Sequence, residues 1–233
     1  MSVLDQIVKA YDIRGTVHDE VNVEVAYALG VGFASLVNAE HESSEPARVV
    51  VARDMRPSGP TLVEAFTAGL NNHGVSVVDI GLASTDLMYY ASGSLDLPGA
   101  MFTASHNPAG YNGVKLCRAA ARPVGADSGL GDVKAVAQSV LDGNEPERAA
   151  VAGTKAEASM LDEFVDHVLT FVDPEVIGKL KVVADTANGM GGLVVPAVLN
   201  RLKDVEFEIM YPELDGTFPN HPCLLYTSPS PRD

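Results

Sequence analysis

The chain has 233 residues, 46% hydrophobic and 20% charged, with a formal net charge of −15. That balance excludes general nucleic-acid binding, which needs a basic face, and no apolar run is long enough to span a membrane. Two cysteines, Cys117 and Cys223, are too few for a disulfide framework. The start, Met1 to Gln6, lacks a basic segment followed by an apolar one, so a cytoplasmic setting is expected.

In chain order, Asn22 is placed to cap a helix whose apolar positions Val25, Leu29, Phe33 and Leu36 recur at three- and four-residue spacing. Arg48 to Ala52 reads as a buried strand. Gly59-Pro60 opens a second helix through Leu62, Phe66 and Leu70, closed by Gly74. Strands follow at Val75–Ile80, Gly99–Phe102 and Gly113–Cys117. Asp127 or Ser128 can cap a helix over Leu130, Val133, Ala137 and Val140. Residues 142–157 are polar and punctuated, reading as a connection between two units. A helix with Leu161, Phe164, Val165, Val168 and Val172 on one face then stops at Pro174. His167 falls on its polar side and reads as solvated. Lys181–Asp185 and Val205–Met210 repeat the earlier strand–loop–helix–strand pattern. This alternation predicts a layered α/β fold with a mixed sheet.

The chemistry concentrates after the Gly99–Phe102 strand, in Thr103-Ala104-Ser105-His106-Asn107-Pro108 and Tyr111-Asn112-Gly113-Val114-Lys115. Asn107-Pro108 and Asn112-Gly113 are turn dipeptides, so the segment is a compact excursion at a strand's carboxyl end, where open α/β sheets place ligands. A serine hydroxyl can carry a phosphoryl group covalently. Once loaded it holds roughly −1.5 to −2 charges and needs cations nearby. Lys115 and His106 can supply charge or move protons. Arg14, Arg53 and Arg56 are further candidates for the phosphate, whose oxygens suit a guanidinium fork. Asn188-Gly189-Met190-Gly191-Gly192 lacks the spacing of a dinucleotide fingerprint. Ser105 lacks the flanking glycines of a hydrolase elbow. The six histidines show no zinc-ligand spacing.

Thr103 to Lys115 resembles the phosphoserine loop of the α-D-phosphohexomutases, the phosphomannomutase and phosphoglucomutase family. Lys9 to Gly15 resembles that family's amino-terminal loop. Val49 to Ser58 resembles its first strand and turn, with Ala52 in place of the usual glycine, and Val182 to Gly191 the opening of its second domain. The resemblance implies a first domain over residues 1–145 and a linker helix plus incomplete second α/β domain over 146–222. It implies Ser105 as phosphoryl carrier and Lys115, His106 and Arg14 as its catalytic partners. Tyr11, Asn107 and Arg53 are implied as substrate or phosphate contacts. The implied reaction interconverts hexose 1-phosphate and hexose 6-phosphate, mannose or glucose, through a hexose 1,6-bisphosphate.

The family's magnesium ion would touch the phosphoryl group on Ser105, but the Asp-Gly-Asp-x-Asp-Arg loop that holds it has no match here. After Asp215 to Pro222 the resemblance ends, and Cys223 to Asp233 reads as a non-native tail. The expectation is therefore an amino-terminal fragment, inactive alone, acting on a phosphosugar and on neither nucleic acid nor membrane. Sugar preference and oligomeric state stay open. Two alternatives stand beside it: a metal-assisted phosphatase using the same serine, and a non-catalytic sugar-phosphate-binding protein.

Overall fold

The computed structural model describes residues 2–222; the tail expected from Cys223 onward lies outside the described residues. Its elements, in order, are α1 (Val3–Ile7), β1 (Ile13–Thr16), α2 (Val23–Glu40), β2 (Arg48–Arg53), α3 (Gly59–Asn72), β3 (Ser76–Leu82), α4 (Thr85–Leu95), β4 (Gly99–Phe102), β5 (Tyr111–Arg118), β6 (Arg122–Pro123), α5 (Leu130–Leu141), β7 (Lys155–Glu157), α6 (Leu161–Leu169), β8 (Leu180–Asp185), α7 (Gly191–Leu199) and β9 (Val205–Met210).

A mixed sheet runs β1-β5-β4-β2-β3-β7, with β6 pairing on β5. β2 is parallel to both β3 and β4, β7 is parallel to β3, and β5 is antiparallel to β4 and β1. Because successive strand residues face opposite sides, Val49 and Val51 pack with α2, α3 and α5 on one face, while Val50 and Ala52 pack with α4 and α6 on the other. The continuous apolar run is thus what burial on both faces demands. The chain steps from β2 to β3 on one side, then returns past β2 to β4 on the other. The carboxyl ends of β2 and β4 therefore flank the point where strand order reverses, the place open α/β sheets offer a ligand.

Local signals explain most elements. Asn22 Oδ1 accepts the Val25 backbone N–H at 2.9 Å and starts α2. α2 and α3 cross closely because Gly30 has no side chain: a Cβ there would overlap the Phe66 carbonyl. Gly30→Ala should destabilise the fold by about 1–3 kcal/mol through overpacking, read as a lower urea midpoint; an unchanged midpoint would show the helices can separate freely.

The structure differs from the sequence expectation in four places. Asp127 and Ser128 lie in a 3₁₀ turn, and Gly129, in the left-handed region at φ 102°, precedes α5 without a side-chain cap. The Ser128 hydroxyl instead accepts the Gly125 N–H at 2.8 Å. Residues 142–157 are not an open connection throughout, because Lys155–Glu157 forms β7 on the sheet edge. Val172 lies beyond the end of α6. His167 is exposed but not merely solvated: its ring centre lies 4.9 Å from that of Tyr90, tilted, and 5.0 Å from that of Phe171, edge-on.

A second α/β unit follows, in which β8 and β9 pair in parallel around α7. It repeats the β2-α3-β3 arrangement, as the sequence suggested. Val194 of α7 packs against the core face formed by α4 and α6. Among the described residues no helix is long and apolar enough to cross a membrane.

Candidate active site

Two loops make the site: residues 103–110 after β4 and residues 54–58 after β2. They are fixed by one guanidinium. Arg56 is fully buried, and its side chain uses all five N–H donors on neighbouring oxygens. Nε donates to Asp54 Oδ2 at 3.2 Å. Nη1 donates to the carbonyls of Pro108 at 2.8 Å and Tyr111 at 2.9 Å. Nη2 donates to the carbonyls of Ser105 at 2.9 Å and Asn107 at 2.7 Å. With its donors so committed, Arg56 holds the loop rather than a ligand, which differs from its reading as a phosphate-binding cation.

Asp54 and Thr103 complete the frame. Thr103 Oγ1 donates to Asp54 Oδ2 at 2.7 Å and accepts the Ser105 N–H at 2.9 Å. Asp54 Oδ1 accepts the Arg56 N–H at 3.0 Å. Asp54 and Thr103 are both buried, so these charge-assisted bonds escape most solvent screening.

Ser105 sits exposed at the loop tip with φ 54°, in the left-handed region. That conformation is uncommon for a residue bearing Cβ and persists only when the surroundings fix it. The bonds to its N–H and carbonyl provide that constraint. Its hydroxyl lies 3.4 Å from His106 Nδ1.

Two cations stand on the neighbouring strands. Arg14 on β1 donates from Nη1 to Asn107 Oδ1 at 3.0 Å. Lys115 on β5 lies opposite Met101 of β4. Both face one carboxylate: Asp12 Oδ2 is 3.4 Å from Lys115 Nζ and 3.7 Å from Arg14 Nη2. All three are partly exposed. Two cations against one carboxylate leave an excess positive charge beside the loop, despite the chain's net charge of −15.

The structure therefore brings Ser105, His106, Asn107, Arg14 and Lys115 into one cluster and adds Asp12, Asp54, Arg56 and Thr103, to which the sequence reading gave no such structural role. Tyr11 is 75% exposed, with its ring edge against Gly125. Arg53 donates from Nη1 to the Asp54 carbonyl at 3.4 Å and lines a polar cleft of about 560 Å³ with Glu64, Asp79 and Lys155. Cys117, the free thiol among the described residues, is buried, and desolvation pushes its pKa up. It is an inert packing group.

Magnesium needs several oxygen ligands in near-octahedral array. Among the described residues no three His, Cys, Asp or Glu side chains gather to hold a metal ion. The carboxylates nearest the loop are committed, Asp54 to Arg56 and Thr103, and Asp12 to Arg14 and Lys115. These residues do not build a magnesium site by themselves.

Comparison with known proteins bears on the fold and the family. Residues 5–131 match the family model for phosphoglucomutase/phosphomannomutase, alpha/beta/alpha domain I. A phosphomannomutase of Vibrio cholerae is 35% identical over 217 residues, covering 91% of this chain and 46% of that protein. A Xanthomonas campestris protein described as phosphohexose mutases is 39% identical over 216 residues, covering 91% and 45%. A crystal structure of a phosphoglucomutase/phosphomannomutase family protein from Burkholderia thailandensis superposes with a TM-score of 0.78 at 32% identity, covering 95% of this chain and 47% of that one. The chain thus spans about half the length of the curated relatives it matches. It belongs to the phosphoglucomutase/phosphomannomutase family.

Proposed function

We propose that Ser105 is the phosphoryl carrier of a hexose-phosphate mutase. The observation that carries this reading is the left-handed Ser105 at the tip of a loop clamped through its carbonyls, beside the Arg14–Lys115 pair. Such a serine presents its Oγ to solvent in a fixed place, and the excess positive charge suits the dianion it would carry.

In the forward step a sugar hydroxyl oxygen attacks the phosphorus on Ser105. The Oγ–P bond breaks, the new O–P bond gives a hexose 1,6-bisphosphate, and the sugar's proton passes to the serine oxygen. The bisphosphate then turns over, and Ser105 Oγ takes the other phosphoryl group, its proton returning to the sugar oxygen. Lys115 relays the proton, His106 orients the sugar hydroxyl, and Arg14 steadies the phosphoserine with Asn107 holding its guanidinium. Tyr11, exposed two residues after Lys9 and three before Arg14, contacts the sugar. Mannose and glucose phosphates are the proposed substrates. The chain alone would hold the phosphoserine half of the site and turn over little sugar.

The test uses the full-length form, meaning this chain joined to the remaining length its relatives have. Supplied with hexose 1-phosphate and a trace of hexose 1,6-bisphosphate, it should form hexose 6-phosphate with organic phosphate conserved. Stoichiometric release of inorganic phosphate would establish a phosphatase instead. In that form Lys115→Ala should lower kcat by about 10²–10⁴-fold, the usual worth of a positioned proton-transfer group. KM should move less than about threefold, since little uniform binding is lost. An unchanged kcat would remove Lys115 from the proton path.

A further inference from the structure

Arg56 is held from two sides. Its donors reach the serine loop, while its guanidinium carbon lies 5.4 Å from the centre of the Phe218 ring, which belongs to the segment after β9. We propose that the turn Asp215–Phe218 of the second α/β unit is the outer jaw of the clamp on the Ser105 loop, with Phe218 as a positioning residue that acts through Arg56.

The turn is built for close approach. Gly216 lies against the backbone of the β2 loop: a Cβ there would sit 2.6 Å from Arg56 Cα and 2.9 Å from Pro57 Cδ. Phe218 N–H donates to the Asp215 carbonyl at 3.0 Å, and Asp215 Oδ1 accepts from Thr217 N at 2.9 Å and Thr217 Oγ1 at 2.7 Å. These bonds fix the backbone from which the ring projects. The turn is tied to the second unit by Asn188, which is buried in the loop between β8 and α7. Asn188 donates to the Glu213 carbonyl at 3.0 Å and accepts from Asn220 at 2.7 Å, and its own carbonyl accepts the Asp215 N–H at 3.0 Å.

A continuous path therefore runs from Asn188 through the turn to Arg56, and from Arg56 to the carbonyls of Ser105 and Asn107. A desolvated guanidinium over an aromatic face is one of the stronger cation–π arrangements. Holding the ring in place holds the guanidinium in the plane that its carbonyl partners require. The consequence is that the second unit must be seated for the serine loop to be ordered, so placement of the two units and presentation of Ser105 are one event.

Hydrogen–deuterium exchange on the 233-residue chain tests this without any phosphoryl chemistry, so its outcome stands apart from the role proposed for Ser105. The reporters are the Asn107 and Tyr111 amides, bonded to the carbonyls of Ala104 and Pro108. Phe218→Leu keeps apolar bulk but loses the aromatic face, and should speed exchange at these amides about tenfold. Phe218→Tyr, which restores the ring, should return it to within about twofold of the parent. Val140→Ala trims α5 on the sheet face opposite the second unit and should leave the reporters unchanged. Unchanged exchange in Phe218→Leu would overturn the proposal, as would equal acceleration by Val140→Ala.

Discussion

Replacing Ser105 with alanine should cut phosphoryl uptake from a hexose 1,6-bisphosphate by on the order of 10³-fold or more in the full-length form. The melting temperature should stay within about 4 °C, the shift worth about 1 kcal/mol in a chain of this size. The two expectations separate because the loop's frame does not use the serine side chain. Thr103 Oγ1 bonds the Ser105 N–H, and Arg56 bonds its carbonyl. Alanine keeps both groups and removes the oxygen that would form the O–P bond. The His106 ring, 3.4 Å from that oxygen, would remain in place. Phosphoryl uptake at the parental rate would mean that another side chain carries the group.

Arg56→Ala should have the opposite profile, a large loss of stability. The substitution strands the buried Asp54 carboxylate and leaves the carbonyls of Ser105, Asn107, Pro108 and Tyr111 without their shared donor. Breaking a buried ion pair by removing one partner costs about 3–5 kcal/mol. At about 2–4 °C per kcal/mol for this length, the melting temperature should fall by roughly 6–20 °C. Arg56→Lys should recover little, because an ammonium offers three donors where five are used and cannot match the planar fork. A fall of less than about 2 °C for Arg56→Ala would contradict the clamp, since about 1 kcal/mol is what an ordinary exposed ion pair contributes.

The parts of this fold that were legible in sequence are those where one strong local signal decides. Val49 to Ala52 is apolar without interruption, short and rich in β-branched valine, which favours a strand buried on both faces, and β9 falls at Val205–Met210, where the repeated pattern put it. Shorter or more polar elements were not legible. β1, Ile13-Arg14-Gly15-Thr16, has no pattern of its own and is a strand because β5 offers it a partner edge. β7 is three exposed residues, Lys155-Ala156-Glu157, stabilised by the free edge of β3. α4 carried a usable cue in Ser84, whose Oγ accepts the Leu87 N–H at 3.2 Å, but Ser92 and Gly93 weaken its apolar stripe.

The site divides the same way. Ser105, His106 and Lys115 could be picked out because their side-chain chemistry is visible in the residue type. The roles of Asp12, Asp54 and Arg56 depend on burial and on partners some 50 to 100 residues away, which composition does not encode. Asp12 had one readable trace. It stands two residues before Arg14, immediately ahead of β1, and the two side chains meet at 3.7 Å. Arg53 and Arg56 look equivalent in sequence, yet one lines a separate cleft and the other is enclosed in the loop frame.

The most direct test of the central claim is to locate the phosphate. The full-length form would be incubated with a hexose 1,6-bisphosphate, digested, and its peptides mapped by fragmentation mass spectrometry. A single phosphoryl group should be found on Ser105. A phosphate found on another residue, or none on the peptide spanning Thr103 to Lys115 while sugar phosphate turns over, would contradict it.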